Sequence, residues 1–158
     1  MTISGWLLLQ NTFWAGIAAL GFAVLFNVPR RALFGCALGG ALAYAVRTVL
    51  VQFGLTGIEA ATLLGATVVG FVGMRFGHRW RVPAPVFVVP GVIPLVPGYL
   101  AFRTMIDLLT LTTSGPGVDQ ALLLAAAVNS LKTTLIVAGI AAGVAVPSLL
   151  LRRHRPMT

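Results

Sequence analysis

Five charged side chains fall in one half of otherwise apolar stretches: Arg47, Glu59, Arg103, Asp107 and Lys132. They stand out because 58% of the 158 residues are hydrophobic and only 9% are charged, against roughly 25% charged in an ordinary soluble domain. That composition defines an integral membrane protein, where a buried charge costs ~2.5 to 3.5 kcal/mol on insertion scales and so faces a bundle interior or a cavity. Arg103 and Asp107 are four residues apart, share a helix face and can neutralise one another. Lys132 has no acid nearby in its own helix, but Asn129 and Thr133 lie on its face. Three cations against two carboxylates leave one positive charge in excess, and an anionic ligand such as a carboxylate completes the set. The alternative is that Arg47 and Lys132 snorkel to the outer interface, that Arg103 and Asp107 are a structural pair, and that Glu59 is a helix N-terminal carboxylate.

These residues do not make a catalytic constellation. His78 and His154 lie in basic segments, and no serine has a GxSxG setting. Cys36 is the single cysteine, which excludes an intrachain disulfide and a CxxC metal site, and it reads as a small packing residue. The expectation is therefore no enzyme and no cofactor. A net charge of +8 does not point to nucleic acid, because the arginines cluster between apolar runs instead of forming a stripe with interleaved aromatics.

The elements that position the charges are five apolar runs, at residues 6–26, 32–51, 58–76, 86–111 and 121–151. Each is long enough to cross a hydrocarbon core of ~30 Å. The expected fold is all-α, a single transmembrane domain over residues 1–158. Gly35 and Gly39 in the second run have GxxxG spacing, which permits close helix contact. Arg30 and Arg31 follow the first run, Arg79 and Arg81 the third, and Arg152, Arg153 and Arg155 the fifth, while the N-terminus and the other connections carry no lysine or arginine. The positive-inside rule then puts the N-terminus outside and the C-terminus in the cytoplasm. On that topology Arg47, Glu59 and Asp107 lie in the outer part of the bilayer, with Arg103 and Lys132 somewhat deeper. The fifth run exceeds a bilayer, so it tilts or ends at Pro147.

The fourth run contains PGVIPLVPG, residues 90–98. Proline removes a backbone donor and clashes with the preceding turn, so no continuous helix passes through it. Transporters keep such broken helices where they meet substrate. The break at Pro97 and Gly98 predicts a second half-helix from Tyr99, whose free N–H groups and dipole suit a carboxylate. The candidate substrate-binding set is therefore Arg103, Lys132, Asp107, Asn129, Thr133, Pro94, Pro97, Gly98 and Tyr99.

FNVPRRAL (residues 26–33), IPLVPG (93–98), Asn129 in the last helix and the arginine-rich C-terminus together resemble the small YjjB-like subunit of the bacterial threonine/serine exporter family, the ThrE type. The resemblance runs through nearly the whole chain. It implies a subunit of the bacterial cytoplasmic (inner) membrane working with a larger ThrE-type membrane subunit in a hetero-oligomer. It also implies export of a small carboxylate-bearing substrate, threonine and serine in fused members and a dicarboxylate such as succinate in split ones. The competing reading is a non-transporting membrane scaffold whose broken helix only shapes an interface.

Overall fold

Lipid offers the backbone no donors or acceptors, so a spanning segment must satisfy its own peptide groups, and each apolar run folds as helix. The computed structural model describes residues 5–113 and 120–152. Its helices are α1 (Gly5–Leu25), α2 (Leu33–Gln52), α3 (Ile58–Trp80), α4 (Pro85–Val92), α5 (Gly98–Thr113) and α6 (Gln120–Arg152), with single 3-10 turns at Arg30–Ala32 and Ile93–Leu95. Among the described residues four helices are long and apolar enough to cross a membrane, and the pair Pro85–Leu95 and Gly98–Thr113, bent by 59°, makes a fifth span if counted as one. The connection 114–119 and the tail 153–158, with Asp119, Arg153, His154 and Arg155, lie outside the described residues.

Three helices stop in the same way. After α1, α2 and α3 the chain turns through a left-handed residue, Asn27, Gly54 and Arg81 respectively. The next N–H then reaches back to a carbonyl five residues earlier: Val28 to Ala23, Leu55 to Leu50 and Val82 to Gly77. This closure satisfies carbonyls the helix end would leave orphaned. It also moves a boundary, because α3 continues beyond residue 76 through His78 and Arg79 to Trp80. Pro147 lies inside α6 and does not end it.

Small residues set the packing. Gly40 of α2 presses on Ala19 of α1, where an added Cβ would stand 2.5 Å from the Ala19 Cβ, and Gly65 of α3 meets the Ala43 carbonyl at 2.8 Å. Gly35 accepts the rings of Trp80 and Phe87. The GxxxG expectation thus holds at Gly35, whereas Gly39 has only Val72 at 3.9 Å and the close contact with α1 belongs to Gly40.

The broken helix is the centre of this bundle. Phe87, Val88, Pro90, Gly91 and Leu95 are all buried, Phe87 among Ala23, Ala32 and Cys36, and Leu95 among Ala43, Ala66 and Val69. Its prolines strip donors from the carbonyls four residues earlier, and each such carbonyl can be traced. Pro90 orphans Val86, whose oxygen accepts from Cys36 Sγ at 3.4 Å. Pro94 orphans Pro90, whose oxygen accepts the Ile93 N–H. Pro97 orphans Ile93, whose oxygen accepts the Val96 N–H at 3.1 Å. Cys36 is therefore a donor as well as a packing residue.

Candidate functional site

Beyond Val96, whose extended backbone (ψ 129°) ends the 3-10 turn, the chain swings into α5. This helix has no buried residue. Only Leu100, Thr104, Asp107 and Leu111 are half-buried, at the 4, 3, 4 spacing of one helical stripe, and that stripe faces α6. Asn129 Nδ2 donates to Asp107 Oδ2 at 3.3 Å. Thr133 Oγ1 turns back to the Asn129 carbonyl at 2.8 Å, and the Thr104 hydroxyl is buried without a partner.

Arg103 and Asp107 form no ion pair, contrary to expectation. Arg103 Nη1 donates instead to Tyr99 Oη, one turn earlier, at 3.0 Å. The reason is direction: Asp107 belongs to the stripe turned toward α6, while Arg103 and Tyr99 are exposed. Lys132 is exposed as well. The Asp107–Asn129 bond fixes the antiparallel register of α5 and α6, so Arg103, one turn away, stands level with Lys132 and Thr133.

Depth also differs from the expectation. Along α6, a Cβ at Gly139 would stand 3.2 Å from the Glu59 carbonyl, Gly143 abuts the Leu63 carbonyl and Pro147 lies against Gly70. The start of α3 is therefore level with Gly139, and the first part of α6 runs past it for roughly 28 Å at 1.5 Å per residue. Lys132 and Arg103 belong to this projecting α5–α6 hairpin and stand on the outer side of Glu59, not deeper. The hairpin's outward residues are apolar and exposed, among them Phe102, Met105, Leu108, Leu124, Leu131 and Leu135.

The remaining predicted residues divide between core and hairpin. Pro94 is half-buried and packs near Gly40 in the bundle core, 3.5 Å from an added Cβ. Pro97 and Gly98 form the bend, where the Gly98 N–H bonds to the Val96 carbonyl at 2.9 Å and Pro97 O accepts from Ala101 at 3.0 Å. Two of the N–H groups expected to be free at the second half-helix, those of Gly98 and Ala101, are thus engaged, and the half-helix starts at Gly98. Arg47, outside the candidate substrate-binding set, neither snorkels nor joins the hairpin cations: its Nη1 donates to the Leu95 carbonyl at 3.1 Å and its guanidinium lies 4.9 Å over the Tyr44 ring. The signal for it was present: Cys36, Gly40, Ala43 and Arg47 share one face of α2.

Spanning helices and a central span broken at prolines define a multi-pass membrane protein. A family model described as Threonine/Serine exporter, ThrE, matches residues 11–150. The chain belongs to the threonine/serine exporter (ThrE) family, a family of transporters and not of enzymes. No solved structure matches it.

Proposed function

We propose that this chain is the membrane subunit of a secondary exporter of small carboxylate-bearing metabolites, threonine and serine or a dicarboxylate such as succinate, and that it works with a larger ThrE-type subunit in the bacterial cytoplasmic membrane. The observation that carries the reading is the α5–α6 hairpin. Arg103 and Lys132 are exposed on apolar helices at one level, with no ion pair to either among the described residues, and α5 packs on nothing but α6 to any extent. The hairpin projects past α3 with an exposed apolar face, Phe102, Met105, Leu108, Leu131 and Leu135, larger than a free surface keeps open, so a second protein covers it. The substrate carboxylate passes between the two subunits, drawn by Arg103 and Lys132, with Asn129, Thr133 and Asp107 shaping the wall and Pro97, Gly98 and Tyr99 the bend below it. The N-terminus lies outside and the C-terminus in the cytoplasm, as the arginine clusters require.

One observation favours the scaffold reading. The break itself is packed, with Leu95 and Pro90 fully buried, so it shapes the bundle without lining a cavity. The two readings part on export in cells lacking this chain, its larger partner, or both. The exporter reading expects intracellular threonine, serine or succinate to rise equally in all three strains, and Arg103→Gln with Lys132→Gln to behave like the deletion while the complex still assembles. A scaffold expects the double variant to restore export.

A further inference from the structure

Two clefts at the arginine-rich end of the bundle join. The first, about 450 Å³, runs between α3, α4 and α6 along Gly70, Val88, Val89, Val144 and Ser148. Its one hydroxyl is turned away, Ser148 Oγ donating to the Ala145 carbonyl of its own helix at 2.7 Å, so the walls are apolar. The second, about 440 Å³, is lined by Gly77, His78, Arg81, Val82 and Pro83. Met74 and Ala84 line both, making one groove that starts at a guanidinium and an imidazole and continues into hydrocarbon. No carboxylate lines either part.

The residue at the mouth departs from a local rule. Arg81 closes α3 in the left-handed conformation, φ 52° and ψ 46°, where glycine or asparagine is the usual choice, as at Gly54 and Asn27. A long side chain is disfavoured there by the clash of its Cβ with the backbone. An observed departure of this kind is a reason to look for a role. The conformation aims an exposed cation at the mouth of an apolar groove.

We propose that this groove binds an anionic phospholipid, with an acyl chain along α3, α4 and α6 and the headgroup phosphate at Arg81 and His78. The dimensions agree. From Gly70 to His78 the groove follows α3 for roughly 12 Å, about the depth of one leaflet of a ~30 Å core. The small side chains of Ala84, Ala141 and Ala145 leave the width a chain needs. A guanidinium pairs with phosphate oxygens bidentately, and basic pockets between helices on the cytoplasmic side are where such headgroups bind. The site is separate from the α5–α6 hairpin and does not depend on the export reading.

The test exchanges the purified full chain into nanodiscs of phosphatidylglycerol or phosphatidylcholine and counts the lipid it retains by native mass spectrometry. The parent should retain phosphatidylglycerol over phosphatidylcholine. Arg81→Asn with His78→Gln, which keeps a residue suited to the left-handed turn, should lower retained phosphatidylglycerol by about fivefold or more. Ala145→Phe, filling the groove with the basic mouth intact, should lower it too. Equal retention of both lipids by the parent overturns the proposal, as does undiminished retention in the Arg81/His78 variant. Undiminished retention in a helical, folded Ala145→Phe protein also overturns it. So does glycerol 3-phosphate raising the thermal midpoint as much as phosphatidylglycerol, since that means a free-phosphate site.

Discussion

Arg47 Nη1 of α2 donates to the carbonyl oxygen of Leu95 at 3.1 Å, at the point where the fourth span breaks. In an unbroken helix that carbonyl would accept from residue 99, but Val96 turns extended and carries the chain away. A half-helix ends with negative dipole charge, so a cation there supplies both the missing hydrogen bond and a favourable charge. Three turns along the same face, Cys36 does the neutral equivalent for Val86. One face of α2 thus replaces two backbone donors of α4 and the turn that follows it.

Removing Arg47 should therefore destabilise the break. Arg47→Ala leaves Leu95 O buried and unpaired, a loss of ~1 to 3 kcal/mol, seen as a lower thermal midpoint in detergent. Arg47→Lys, which keeps a donor and the charge, should recover much of it. Equal midpoints for Arg47→Ala and the parent would show that the bond carries no weight.

The glycines give a pair of opposite sign. At Gly65 an added Cβ stands 2.8 Å from the Ala43 carbonyl, which is backbone and cannot yield cheaply. At Gly21 nothing lies within 4 Å. Gly65→Ala should lower the midpoint, while Gly21→Ala, in an open helix interior, should raise stability by up to ~1 kcal/mol. The same sign for both would contradict the packing of α2 on α3.

Much of this architecture was legible in the sequence because lipid enforces it. Apolar length fixed the spans, and three prolines between Pro90 and Pro97 fixed the break. What could not be read was direction around each helix where charges are sparse. Spacing alone made Arg103 and Asp107 a pair, but Tyr99 lies equally one turn from Arg103 and took the bond, because α6 claimed the carboxylate through Asn129. Spacing puts Arg47 on the small-residue face of α2 but does not show which helix that face covers, so snorkelling stood open beside a place in the charge set. The extension of α6 beyond α3 was equally hidden, since register between distant helices rests on contacts such as Gly143 with Leu63.

That partner exchange changes what the charge variants should do. Asn129→Leu leaves the Asp107 carboxylate in the α5–α6 seam without its donor and should loosen the hairpin, read as faster hydrogen exchange in α5. Arg103→Gln strands no acid and should leave exchange in α5 unchanged. Protection lost in Arg103→Gln and kept in Asn129→Leu would reverse the assignment.

Topology can be checked with thiols in a Cys36→Ser background, serine retaining a donor to Val86. A cysteine at Arg79 should react with an impermeant reagent only in opened cells or inverted vesicles. One at the exposed Leu55 should react from the outer face. The opposite pattern at either position contradicts the orientation set by the arginines.

Carboxylate export is proposed to need both this chain and a larger subunit, and to pass the Arg103 and Lys132 face. Its most direct test is efflux of labelled threonine, serine and succinate from proteoliposomes containing this chain, its partner, or the copurified complex. The complex alone should export at least one of these solutes, and efflux should fall about tenfold or more, ~1.4 kcal/mol, in an assembled complex carrying Arg103→Gln and Lys132→Gln. Full efflux by this chain without a partner, or by the double variant, would contradict it.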